Sequence, residues 1–191
     1  PAAGQPPLPA VRLITGGGDV SGEAKRLGLG LEETARRMRY AFLEEAARAV
    51  GADRIATAHT ADDNAETVIM RMIRGTGLKG LGAIAPVSGK VIRPMLLINR
   101  QEVEEFLLAW GLPHREDSSN ASDAFLRNRI RHTVMPLLKS ENPRLAENLS
   151  LMALRLREDE DFLAAQSGFP DFPGVQTLKD RKSTRLNSSH T

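Results

Sequence analysis

The stretch RIATAHTADDNAETVIMRMIRGTGLKGL, residues 54–81, decides how this chain is to be folded. Arg54 to Ala58 is short and apolar-rich, which fits a buried strand. Thr60 and Asp63 then stand at the three-residue offset of a capping box, so a helix opens there and buries Ala65, Ile69, Met72 and Ile73. Gly75, Gly77 and Gly80 end it in a loop. A strand leading straight into a capped helix is the unit of an α/β protein.

The same unit recurs on either side. Upstream, Val11 to Ile14 reads as a buried strand, and Thr15 to Gly22 as a turn by its glycine density. Leu31, Ala35, Met38, Phe42, Ala46 and Val50 recur at three- and four-residue spacing, which predicts an amphipathic helix over 31–50 that Gly51 terminates. Downstream, Val91 to Leu97 is a strand with Pro94 marking an edge or an end. Asn99 caps a helix running to Trp110, with Glu102 reaching back and Gly111 at the stop. Strand and helix alternate three times, so helices packed on a mainly parallel sheet are expected.

From Asp123 the chain is helical and basic, with Pro136 as a kink. Asn142-Pro143 restarts a helix carrying Leu145, Leu149, Met152, Leu156 and Leu163. That narrow stripe suggests a connecting helix. The expected organisation is an α/β domain over 1–140, a connecting helix over 141–167 and a disordered tail over 168–191. Residues 181–191 resemble adaptor read-through and are set aside from fold reasoning. No repeat of 20 to 50 residues is visible.

Composition bounds the chemistry. The chain has 191 residues, 41% hydrophobic and 26% charged, enough for one core. Lys and Arg number 26 against 24 Asp and Glu, so no whole-chain field argues for nucleic acid, although a local basic face stays open. There is no cysteine, which removes disulfides, thiolate metal sites, iron–sulfur ligation and persulfide chemistry. No apolar run approaches the ~20 residues of a membrane span, and PAAGQPPLPA lacks the apolar centre of a secretion signal. A cytoplasmic location with no membrane partner is expected.

Several segments could carry function, each with a plainer explanation. ITGGGDVSG, Ile14 to Gly22, looks like a phosphate loop, but the helix after it would be only EAKRLG, cut off by Gly28 and Gly30, and a surface turn explains it as well. In AHTADDNAET, Asp62, Asp63 and Glu66 lie within about 100° of arc on one helix. They could hold Mg²⁺ or receive an ammonium group, or simply favour the helix N-terminus. His59 alone is often structural. RGTGLKGL could turn amides toward an anion, with Arg74 and Lys79 adding charge. Arg36 and Arg39 beside Tyr40, and Arg127 with Arg131 in RNRIRH, could meet phosphates or merely be solvated.

Taken in order, LEETARRMRY, AHTADDNAET, RGTGLKGL, VIRPML, REDSSN and RNRIRH resemble the tRNA(Ile)-lysidine synthetase family, within the N-type ATP pyrophosphatases of the PP-loop superfamily. The resemblance runs from about Val11 to Gln166. It implies an incomplete Rossmann-like sheet of the adenine nucleotide alpha hydrolase type with flanking helices, followed by a helical linker. It also implies a carbon–nitrogen ligase: ATP adenylates the C2 oxygen of the wobble cytidine in a tRNA(Ile) with a CAU anticodon, and the side-chain amine of free L-lysine displaces AMP. ATP and Mg²⁺ are the implied cofactors, and a homodimer is possible.

On this reading Asp62, Asp63, Glu66, His59 and Arg131 are catalytic. Arg36, Arg74, Gly75, Gly77, Lys79, Arg127 and Asn128 bind substrate or ATP, and Asp63 and Glu66 carry the metal. The chain departs from the family at TGGGDV, which imitates the family's S-G-G-x-D-S loop but stands in the turn before the LEETARR helix. It is read as a decoy, with the true loop expected upstream of Pro1 and tRNA-binding parts expected downstream. The chain alone is then expected to be inactive and poorly stable. A tRNA thiolase of the same superfamily is a rival that the lack of cysteine weakens. A noncatalytic RNA-binding module around RNRIRH is another, against which stand only six Phe, one Tyr and one Trp.

Overall fold

The computed structural model describes residues 11–112 and 126–166. The motif REDSSN and the tail expected to be disordered lie outside them. Two helices come first: α1 over Val20–Leu27 and α2 over Leu31–Val50. Gly28 and Gly51 close them in the left-handed conformation, with φ of 65° and 69°, which a residue without Cβ adopts at no steric cost. The periodicity of 31–50 therefore marks both ends of α2 correctly.

Strand β1 is Ile55–Ala56, and α3 follows over Ala61–Arg74. The capping box at its start is complete: Thr60 Oγ1 accepts from the Asp63 amide, and the Asp63 carboxylate accepts from the Thr60 amide. A four-residue helix α4, Leu78–Leu81, precedes strands β2 (Val87–Ser88) and β3 (Val91–Ile92). Helix α5, Arg100–Ala109, opens on a second capping box, between Asn99 and Glu102.

The sheet has the order β1-β3-β2. Ile55 pairs with Val91 in parallel, whereas Val87 pairs with Ile92 antiparallel. So the sheet is small and mixed, not mainly parallel. The reason is the hairpin through Ser88-Gly89-Lys90, where Gly89 takes a φ of 59° and lets the chain reverse within the apparent loop before Val91. Pro94 ends β3 early, because it has no amide for the ladder. Val11 to Ile14 is not a strand; Val11 and Leu13 are more than four-fifths exposed and pair with nothing in the sheet.

The basic region forms α6 (Leu126–Arg129), a π-helical turn (Ile130–Val134) and α7 (Met135–Glu141). In the π turn the Met135 amide donates to the Ile130 carbonyl, one residue further back than in an α-helix. The next amide in that register would be that of Pro136, which has none, and proline is tolerated there in the first turn of α7. The expected kink is thus a change of helical register. Asn142 is extended before Pro143, and α8 runs over Leu145–Gln166.

The core lies between α3, α8 and the π segment. Ala61, Ala65, Ile130, Met135 and Ala146 are buried together, and Val68, Ala83 and Ala153 form a second cluster. Helix α3 turns Ala61, Ala65 and Val68 inward, while Met72 and Ile73 are more than half exposed, against expectation. Helix α8 packs on α3 through Ala146, Ser150 and Ala153 and is part of this core, with Leu145, Leu149 and Met152 of its stripe partly buried against the two clusters and Leu163 half exposed. Small residues let the two backbones approach closely. Ser150 Oγ donates to the Ala61 carbonyl at 3.2 Å, which fixes the contact at the first turn of α3.

The irregular stretch from Gly82 to Ala85 is pinned by side chains. Asn64 Oδ1 accepts from the Ile84 amide, Arg93 Nη1 donates to the Ala85 carbonyl, and Arg71 and Arg157 both donate to the Ala83 carbonyl. Backbone outside regular structure needs such partners when it is covered.

Candidate active site

A cleft of about 950 Å³ opens where the C-terminal end of β1 meets α1, α2, α3 and the basic segment. Its lining includes Ser21, Arg36, Arg39, Tyr40, Thr57, His59, Asp63, Arg127, Asn128 and Arg131. Six of these, namely Arg36, His59, Asp63, Arg127, Asn128 and Arg131, are candidates from the sequence.

The centre of the site is an interlocked quartet of charges. The capping box occupies Asp63 Oδ2, leaving Oδ1 to accept from Arg127 Nη2 at 2.8 Å and from Arg131 Nη2 at 3.4 Å. One turn further along α3, Glu66 is almost fully buried, at 3% exposure. Its Oε1 accepts from Arg131 Nε at 2.6 Å, and its Oε2 from Arg131 Nη2 at 3.0 Å and Arg127 Nε at 2.9 Å. Arg127 and Arg131 are four residues apart, which places both on the side of the basic segment that faces α3. The hydrogen bond to Glu66, above all, raises the Arg131 pKa further, with burial opposing and the charges of Glu66, Asp63 and Asp62 adding to it.

His59 stands at the mouth of β1, its Nδ1 2.9 Å from Thr57 Oγ1. Burial, first of all, pushes its pKa below 6.5; Asp63 opposes, and the charges of Arg93, Arg127 and Arg36 add to the depression. The imidazole is therefore neutral at pH 7 and can give or take one hydrogen bond. Across the cleft the Arg36 guanidinium lies 5.0 Å from the centre of the Tyr40 ring.

Asp62 does not join Asp63 and Glu66. It accepts from the Arg100 amide at 2.7 Å and from Lys139 Nζ at 2.5 Å. Burial pushes its carboxyl up, but Lys139 and the Arg100 amide together hold it below the usual range. The common arc on the helical wheel is real, yet the three carboxylates are divided between partners on different elements. No group of three His, Cys, Asp or Glu able to hold a metal exists among the described residues. Asp63 and Glu66 are committed to guanidinium groups, so this donor set offers Mg²⁺ no cradle.

Arg74, Gly75, Gly77 and Lys79 are not brought to the cleft. They are exposed at the C-terminal end of α3, roughly 16 Å beyond Asp63 at 1.5 Å per residue. Arg74 and Gly75 close α3, an end that offers carbonyls, while Gly77 and Lys79 open the four-residue α4, whose Gly80 O accepts from Arg71 Nη1 at 2.6 Å. TGGGDV does precede a genuine helix, longer than EAKRLG. However, Asp19 closes that helix N-terminus itself, accepting from the Gly22 amide at 2.9 Å. Gly16 and Gly18 are small because they lie against α2: a Cβ on either would strike Phe42 or Met38.

Thr57, Ser21 and Glu32 line the cleft without having been candidates, and Arg39 and Tyr40 line it although a solvated face explained them equally well. Only the three-residue spacing of Arg36 and Arg39 was a signal.

Comparison with known proteins accords with this geometry. Residues 11–138 match the PP-loop domain. The chain is 46% identical over 157 residues to a tRNA(Ile)-lysidine synthase of Geobacter sulfurreducens, covering 81% of this chain and 33% of the relative. It is 44% identical over 144 residues to one of Caldanaerobacter subterraneus, covering 75% and 31%. With one of Bacillus subtilis it shares 37% over 175 residues, covering 90% and 37%. The chain thus spans about a third of the length of the curated relatives it matches. No helix among the described residues is long and apolar enough to cross a membrane. With the site at the carboxyl end of a strand and the match running through every element that builds it, the chain belongs to the PP-loop family.

Proposed function

We propose that this chain is part of a carbon–nitrogen ligase that joins lysine to the wobble cytidine of tRNA(Ile) at the expense of ATP, in the cytoplasm. The observation that carries the reading is the quartet of Asp63, Glu66, Arg127 and Arg131, three of which line a cleft at the end of β1 with Glu66 buried behind them. The names of the relatives supply the substrate, tRNA(Ile), and the product, lysidine.

The first step joins the cytidine C2 oxygen to the α-phosphorus of ATP and expels pyrophosphate. Negative charge gathers on phosphate oxygens, and preorganised guanidinium groups stabilise it. Arg131 and Arg127 are such groups, held at fixed angles by Glu66, and Arg36 faces them across the cleft. In the second step the lysine side-chain amine attacks C2, AMP leaves with the oxygen, and the nitrogen loses a proton. Asp63, the less buried of the acid pair, attracts the entering ammonium form by its charge, and that form gives one proton to solvent before the amine attacks. His59, neutral and oriented by Thr57, is placed to accept the proton that the nitrogen then loses. With no carboxylate set free to hold Mg²⁺ among the described residues, no step runs through the metal.

The test is labelled lysine incorporation into a tRNA(Ile) transcript by the full-length protein carrying this segment. Glu66→Ala should abolish it. Near-normal turnover would refute the assignment.

A further inference from the structure

Asp62 lies in the acidic motif but outside the quartet, and its partners show what it does. It sits in the first turn of α3, beside Asp63. Its Oδ2 accepts from the Arg100 amide, at the first position of α5, an amide for which the helix has no internal acceptor. Its Oδ1 accepts from Lys139 on α7. Helix α7 continues without a break from the π turn that carries Arg131.

The basic segment is therefore gripped at two separate places by the first two turns of α3. At the cleft, Arg127 and Arg131 reach Asp63 and the buried Glu66 behind it; away from the cleft, Lys139 reaches Asp62. A π turn is a wide and weakly bonded stretch, and its side chains are aimed by whatever fixes its ends. Ile130 and Met135 seat the turn in the core, so releasing the outer grip loosens α7 beyond them and with it the angle of the π turn.

We propose that Asp62 and Lys139 form a strut that aims Arg131, making both positioning residues for the site although neither touches a ligand. Asp62 thus leaves the chemistry to Asp63 and Glu66 and controls the angle at which the guanidinium is presented. The significance of the strut rests on the reading of Arg131 as the group that meets phosphate, but its existence is measured on Arg131 itself.

The experiment follows the Arg131 Nε–H resonance in the ¹⁵N-labelled 191-residue chain, identified by its loss in Arg131→Lys. Its exchange with solvent should quicken roughly five- to tenfold in Lys139→Met and in Asp62→Asn, with no further gain in the double variant. Lys139→Arg should restore the slow rate. Arg157, whose Nε is buried beside α4, is the internal reference and should not change. Unchanged Arg131 exchange in Lys139→Met, or acceleration shared with Arg157, overturns the proposal, because the second pattern means general loosening. A full-length protein carrying this segment that fails to transfer lysine, while the chain shows the Arg131 response, would overturn the reaction and leave the strut standing.

Discussion

Glu66 and Arg131 face each other through two parallel hydrogen bonds, from Nε to Oε1 at 2.6 Å and from Nη2 to Oε2 at 3.0 Å, although 65 residues separate them in the chain. Glu66 is nearly inaccessible, whereas the Arg131 side chain keeps about a fifth of its surface in solvent. Removing the acid therefore leaves two guanidinium groups crowded together with Asp63 as their one shared counter-charge in the quartet. Glu66→Gln should cost about 2–3 kcal/mol, below the 3–5 kcal/mol of a fully buried pair because water reaches the arginines. Urea unfolding at pH 7 measures it; a loss under ~0.5 kcal/mol would show the pair to be only a surface bridge.

His59 gives the chain a pH dependence of defined sign. Its pKa in the folded state is depressed, so as pH falls the unfolded chain takes up the proton first. Stability should be full above pH 6.5 and decline as pH drops below that value toward the folded pKa. The urea midpoint, followed from pH 8 to pH 5, should fall in the native sequence and flatten over that window in His59→Gln. Parallel curves for the two would remove His59 as the cause.

Adjacent glycines in TGGGDV should behave differently. A Cβ at Gly16 meets the Phe42 ring, while one at Gly17 meets nothing within 4 Å. Gly16→Ala should cost about 1 kcal/mol and Gly17→Ala less than about 0.5 kcal/mol. Equal losses in thermal unfolding would mean that the turn is not held against α2. A fall in nucleotide affinity in Gly17→Ala would restore the phosphate-loop reading.

The close approach of α3 and α8 predicts a penalty for size. Ala153 is fully buried against Val68 and Ala83, so Ala153→Leu should destabilise by about 2 kcal/mol. Leu151, on the exposed side of α8, serves as control: Leu151→Ala should stay within about 0.5 kcal/mol. Similar midpoints for the two variants would contradict the helix contact.

Helices were legible in the sequence because their ends carry local chemistry. Thr60 with Asp63, Asn99 with Glu102, and Gly51 each act within four residues, so the signals survive in one dimension. The two-residue strands had no such signature, and whether β2 joins β3 antiparallel is decided by one glycine turn. The α3–α8 contact was missed because periodicity weighs large side chains, while the interface is built from Ala61, Ala65, Ala146 and Ala153. The acidic motif was found, but its partners were not. Helical spacing places Asp62, Asp63 and Glu66 on one arc and says nothing about which cation, dozens of residues away, will claim each oxygen.

The quartet also sets how the cleft meets salt. A bare cluster of arginines would hold a cloud of mobile anions and shed it when a phosphate arrives, giving affinity that falls steeply with ionic strength. Arg127 and Arg131 have their anions built in, so an incoming phosphate swaps one carboxylate partner for another oxygen and liberates few ions. Affinity for the charged end of the ligand should then change little between dilute and physiological buffer, which suits a pocket that must choose its guest by fit.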